Sequence, residues 1–144
     1  MEPQETILIV EDEAGPRESL RMILSSFYDV YAVANGQEAI DLIREQNISL
    51  ITLDLNMPGL SGIDVLKEIK KMKPDIEVVI ITASETLPNA QKGLRFGASD
   101  FISKPFHVAE VITIIRKSIE RRNASLKNQK LTDPTKNLQD GLHK

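Results

Sequence analysis

Four apolar runs in this chain each give way to one or two polar residues: Ile7 to Val10 to Glu11 and Asp12, Leu50 to Leu53 to Asp54, Val78 to Ile81 to Thr82, and Asp100 to Ser103 to Lys104. The first three runs are rich in Ile, Leu and Val and the last is short and weaker in apolar residues; separated by stretches with helical spacing, they read as strands of a parallel sheet covered on both faces. In an open sheet of that kind the carboxyl ends of the strands lie along one edge, where ligand sites form. Three carboxylates, a hydroxyl and an ammonium would then share one pocket.

A fifth run, Tyr28 to Val33, completes an alternation of strand and helix repeated about five times; the others extend as Thr6 to Val10, Ser49 to Leu53, Glu77 to Ile81 and Asp100 to Ser103. Leu20, Ile23, Leu24 and Phe27 stand at i, i+3, i+4 and i+7 and predict one buried face of a first helix. Ala39, Ile40 and Ile43 mark a second. Ser61 and Asp64 fit a capping box, so a third helix starts there, buries Val65, Leu66, Ile69 and Met72, and stops before Pro74. Leu87, Ala90 and Leu94 predict a fourth helix closed by Gly97. Val108, Val111, Ile112, Ile115 and Ile119 form the stripe of a fifth. The expected fold is α/β: a doubly wound, five-stranded parallel sheet with five helices, flavodoxin-like, for which that class implies the strand order 2-1-3-4-5.

From Asn123 the pattern decays into Asn, Gln, Lys and Thr, with Pro134 inside and scattered leucines at Leu126, Leu131, Leu138 and Leu142. The expectation is one domain over residues 1–122 and a flexible polar tail or linker over residues 123–144. The chain is long enough for one domain with its own core. Residues 1–120 carry 12 Lys and Arg against 19 Asp and Glu, a balance of −7, while residues 121–144 carry 6 against 2, a balance of +4. An acidic body argues against direct nucleic-acid binding by the folded part. The chain has no cysteine, which excludes disulfides, thiolate nucleophiles and zinc-cysteine sites. His107 and His143 are too far apart in sequence to read as a ligand pair. No run approaches the ~20 apolar residues of a membrane helix, and the start lacks a basic signal-peptide region, so a cytoplasmic location without membrane association is expected.

Each site residue has a plainer reading. Glu11-Asp12-Glu13 alone is also a solvated acidic turn, Asp54 also a loop cap before the turn at Asn56, Pro58 and Gly59, and Thr82 also an ordinary β-branched strand residue. Lys104 is less easily dismissed: it lies between a buried strand and Pro105, and a cis Lys-Pro bond would aim its ammonium inward. Clustered carboxylates repel unless a hard divalent cation joins them, and a lysine and a threonine beside them suit phosphoryl oxygens. Taken jointly, the pattern reads as a magnesium-dependent phosphoryl acceptor.

The span from Thr6 to Arg122 resembles the receiver domain of two-component response regulators, through ILIVEDE, LITLDLNMPGLSGIDVL, VVIITAS and DFISKPF. That resemblance implies that Asp54 accepts a phosphoryl group from a phosphohistidine, with Mg²⁺ held by Glu11, Asp12, Asp54 and the backbone carbonyl of Asn56. It implies that Thr82 and Lys104 contact the phosphoryl group, and that Phe101 is the aromatic partner of Thr82 in a switch. The surface so remodelled would be that of the fourth helix, fifth strand and fifth helix. The partners implied are a sensor histidine kinase or phosphotransfer protein, and an output domain beyond residue 144 or a separate effector; a phosphorylation-dependent homodimer is a further expectation. The domain would be a regulatory phosphoacceptor with self-catalysed phosphotransfer and autodephosphorylation, not an enzyme in the usual sense. Glu11 departs from the commoner aspartate and lengthens one ligand arm by a methylene. Asn56 and Ser84 occupy positions that tune attack by water. The last helix and the KPF-type receiver loosely resemble those of nitrogen-regulator activators.

Two other readings stand beside this one. A receiver-like interaction domain that takes no phosphate is opposed by the presence of Asp54, Thr82 and Lys104. A haloacid-dehalogenase-like phosphatase needs a second acid two residues after its nucleophile, where Asn56 stands. A nucleotide site has no support, since neither G-x-x-x-x-G-K-[ST] nor G-x-G-x-x-G follows a strand.

Overall fold

Strands and helices alternate along the chain in a computed structural model that describes residues 4–83 and 87–132. The elements are β1 (Thr6–Val10), α1 (Ala14–Ser25), β2 (Asp29–Val33), α2 (Gly36–Glu45), β3 (Leu50–Leu53), α3 (Gly62–Met72), β4 (Glu77–Ala83), α4 (Leu87–Arg95), β5 (Asp100–Lys104) and α5 (Val108–Thr132). All pairings are parallel and the sheet order is β2-β1-β3-β4-β5, as expected.

The sheet is buried on both faces because β1, β3 and β4 are apolar at odd and even positions alike. Leu8, Val10, Ile51, Leu53, Val78 and Ile80 point to one face, where Ala39, Ile43, Val65, Leu66, Ile69 and Ala90 cover them. Ile7, Ile9, Leu50, Val79, Ile81 and Ile102 point to the other, beneath Leu20, Leu24, Val111, Ile115 and Ile119. Truncating any of these fully buried Leu or Ile side chains to Ala costs about 2–5 kcal/mol. Order reverses at β1: β2 follows on one side and β3 on the other, which opens a crevice at their carboxyl ends.

Local signals set the helix starts. Ser61 Oγ accepts from the Asp64 N–H at 3.1 Å, as the capping box predicts, and Asn35 Oδ1 accepts likewise from the Glu38 N–H at 2.9 Å. Gly62 follows Ser61 where a Cβ would lie 2.4 Å from the Leu55 Cα, so α3 can approach the loop after β3 only with glycine there.

The structure departs from expectation at several points. Phe27 is not part of the buried face of α1, which ends at Ser25; the residue is 51% exposed and its ring centroid lies 6.3 Å from that of Tyr28. Leu94 and Val108 are exposed, so the apolar faces of α4 and α5 are narrower than their spacing suggests. Thr82 sits inside β4 instead of after it, and Lys104 is the last residue of β5. The expected boundary after Arg122 falls inside α5, which runs on to Thr132. Polar contacts continue the helix where the apolar stripe fades: Arg122 Nε donates to the Asp75 carbonyl at 3.0 Å, and Asn123 Nδ2 to Glu5 Oε1 at 3.2 Å. Ser84, Pro134, Leu138, Leu142 and His143 lie outside the described residues. Among the described residues no helix is long and apolar enough to cross a membrane.

Candidate functional site

Parallel pairing carries past the ends of β1 and β3. The Glu11 N–H donates to the Val33 carbonyl at 3.1 Å, and the Asp54 N–H to the Val10 carbonyl at 3.1 Å. Both side chains therefore leave the sheet at its carboxyl edge, and both are almost wholly buried, Glu11 at 2% exposure and Asp54 at 3%. With Asp12 they form a cluster in which one carboxylate oxygen from each lies within 4.8 Å of the others.

Two strands supply the remaining groups. Thr82, fully buried on β4, donates its hydroxyl to Asp54 Oδ1 at 2.9 Å. Lys104 Nζ donates to Asp54 Oδ2 at 3.0 Å and to Glu11 Oε1, and the Lys104–Pro105 bond is cis. The Asn56 N–H donates to Asp54 Oδ1 at 3.0 Å, which closes the turn after β3. The structure thus brings together Glu11, Asp12, Asp54, Thr82 and Lys104, with Asn56 adjoining through its backbone. Phe101 stands apart from this polar group. It is half-buried on β5 against the first apolar cluster, in register with Ile80 and therefore on the same face of the sheet as Thr82.

The electrostatics follow from burial set against donors. Burial pushes the Glu11 carboxyl up to about 7, with the Asp54 charge adding to it and the Lys104 ammonium and Glu13 N–H pulling the other way. Burial acts on Asp54 in the same sense, but the Asn56 N–H, Lys104 and Thr82 outweigh it and hold that carboxyl below its ordinary value. Burial alone would lower Lys104; its two carboxylate partners reverse the sign and raise it. Asp54 is thereby a buried anion at neutral pH.

One ammonium does not balance three acids. Like charges at this spacing oppose one another by on the order of 3 kcal/mol per pair at an effective dielectric of about 20. The Asp12 Oδ1 atom is buried and has no hydrogen-bond partner, an arrangement that carries a penalty unless something else binds there. Carboxylate oxygens alone, with no nitrogen or sulfur ligand in the cluster, suit a hard cation such as Mg²⁺.

Two contacts were not foreseen from sequence. Lys104 reaches Glu11 as well as Asp54, across 93 positions of chain, which no local pattern discloses. Arg17 Nη1 donates to the carbonyls of Glu11 and Asp12, both at 3.1 Å; its place one helical turn beyond the acidic run was the available signal.

A 2-1-3-4-5 parallel sheet with an acidic, lysine-bearing pocket over its switch point defines the receiver-like class of α/β signalling domains. The chain belongs to the response regulator receiver domain family of two-component systems, whose model matches residues 7–116. It is 37% identical over 118 residues to the transcriptional regulatory protein YkoG of Bacillus subtilis, covering 80% of this chain and 51% of that protein. To the cell cycle response regulator CtrA of Brucella ovis it is 34% identical over 116 residues, covering 80% and 50%. The crystal structure of NtrX from Brucella abortus superposes with a TM-score of 0.85 at 30% identity, covering 89% of this chain and 29% of that one. The chain thus spans about half the length of these two sequence relatives.

Proposed function

We propose that this receiver takes a phosphoryl group onto Asp54 from the phosphohistidine of a sensor histidine kinase or phosphotransfer protein. The observation that carries the reading is the state of Asp54: buried, yet held as an anion by donors on both oxygens, beside an unpartnered Asp12 oxygen. An Asp54 oxygen attacks phosphorus in line as the phosphorus–nitrogen bond breaks, and the electron pair leaves with the imidazole. Glu11, Asp12, Asp54 and the Asn56 carbonyl would hold Mg²⁺, which when bound neutralises charge on the phosphoryl oxygens. Lys104, shared between Glu11 and Asp54 beforehand, turns its ammonium to one of those oxygens. Attack by water later returns the group as phosphate, at a rate tuned around Asn56 and Ser84.

The Thr82 hydroxyl follows the new acceptor and leaves space on the face it shares with Phe101. The phenyl ring, half-buried in the resting state, turns inward and reshapes the surface of α4, β5 and α5. That surface would act on an output domain or on a separate effector; relatives named as transcriptional regulators, of which the matched region makes up only about half, support the first arrangement.

Intact-mass measurement after incubation with acetyl phosphate and Mg²⁺ tests the assignment. One phosphoryl group is expected in the wild type, none in Asp54→Asn and none with EDTA. Undiminished labelling of Asp54→Asn at another residue would sink it.

A further inference from the structure

Arg17 occupies an unfavourable place for a cation. It lies in the first turn of α1, where the helix dipole favours negative charge. What holds it there is a pair of carbonyls: its Nη1 donates to Glu11 O and Asp12 O at 3.1 Å each. In an extended strand successive carbonyls point in opposite directions, so two on one nitrogen mark the place where the strand path has turned. The guanidinium satisfies both carbonyls of that turn, which would otherwise be short of partners.

The Glu11 backbone is thereby held on both sides of its Cα, its N–H by the Val33 carbonyl and its C=O by Arg17. Asp12 follows directly, and fixing its carbonyl limits the directions in which its carboxylate can point. Arg17 does this without touching either carboxylate, so it leaves the oxygens of the acidic cluster to other partners. Lys104 does the opposite, bonding Glu11 and Asp54 through their carboxylates.

We infer that Arg17 is a positioning residue for the cation site: it sets the turn that aims Glu11 and Asp12 at Asp54, and it does so from the backbone side. The inference rests on the reading of these acids as cation ligands. Partners that orient metal ligands from outside typically contribute about 10–100-fold to affinity.

Calorimetric titration of MgCl₂ into the metal-free protein, with melting of each metal-free sample alongside, tests it. Arg17→Met keeps the aliphatic length and removes the donor; it should weaken Mg²⁺ binding about 10-fold or more while melting within a few degrees of the wild type without metal. Arg17→Lys, whose ammonium reaches a carbonyl, should recover part of the loss. If Arg17→Met does not fold, Arg17→Gln carries the same test, since its shorter arm cannot span both carbonyls and weaker binding is again expected. Wild-type affinity in the folded donor-loss variant, whatever its melting temperature, would overturn the inference alone. A wild type that takes up no Mg²⁺ would overturn the cation-site reading and this inference together.

Discussion

The Thr82 hydroxyl donates to Asp54 Oδ1 at 2.9 Å from a fully buried position on the neighbouring strand, so the residue that would sense a phosphoryl group already touches the residue that would carry it. The contact also explains part of why Asp54 stays anionic despite burial.

Thr82→Ala removes one of several donors to Asp54 and leaves those from Asn56 and Lys104 in place. The expected loss of stability is about 1 kcal/mol, read from urea unfolding, the usual magnitude for one net hydrogen bond. Acetyl phosphate should still label the variant at Asp54, because the threonine is not the nucleophile. Loss of all labelling in a folded Thr82→Ala protein would contradict that division of roles.

Magnesium stabilisation should depend on pH through Glu11. Its carboxyl is raised from 4.5 to about 7 in the folded protein. A raised acid stabilises the metal-free fold when protonated, so that contribution is complete below 4.5 and is lost as pH rises through about 7. Cation binding needs the carboxylate, and binding to the native state alone raises the melting temperature. Millimolar Mg²⁺ should therefore raise the melting temperature clearly at pH 8 and much less at pH 6, with a smaller gain in Asp12→Ala at both. Equal gains at the two pH values would show that Glu11 is not a ligand.

Gly62→Ala should damage the site from outside it. The added Cβ would lie 2.4 Å from the Leu55 Cα and 3.1 Å from the Asp54 carbonyl oxygen, so the backbone just after β3 must move. Overpacking of this kind costs about 1–3 kcal/mol. Denaturant unfolding should register that loss, and the rate of acetyl phosphate labelling should fall in the folded fraction, since the Asn56 N–H on Asp54 Oδ1 shifts with the loop. A variant as stable and as readily labelled as the wild type would show that the loop gives way without disturbing Asp54.

What the sequence disclosed and what it concealed divide along physical lines. β1, β3 and β4 were legible because burial on both faces demands unbroken apolar runs, and Glu11, Asp12 and Asp54 because acids directly after such runs are conspicuous. The cap at Ser61 was legible from spacing alone. Phe27 misled because an apolar residue at the right interval was read as buried, whereas α1 had already ended. The length of α5 was hidden for the opposite reason: residues 123–132 have no apolar stripe, and the hydrogen bonds of Arg122 and Asn123 to the α3–β4 connection and the segment before β1 are long-range. The double contact of Lys104 and the Arg17 clasp depend on how the chain returns on itself, which periodicity cannot express.

The proposed switch predicts a change in self-association. Phe101 is half-buried beside Ile80 on the face it shares with Thr82, and Leu94 on α4 and Val108 on α5 are exposed. Turning one aromatic ring inward alters the apolar area that this surface offers to a second copy. Coupling between a site and a remote surface is typically about 1–3 kcal/mol, or roughly 5–150-fold in an association constant. Sedimentation velocity with and without beryllofluoride, a mimic of the acyl phosphate, should therefore show a shift in the monomer–dimer balance of the wild type. Phe101→Ala and Thr82→Ala should each lose most of that shift while still taking up the mimic, because neither supplies the attacking carboxylate. Identical wild-type profiles with and without beryllofluoride, at concentrations where the mimic is bound, would refute the dimer switch and leave a receiver that signals as a monomer to a separate partner.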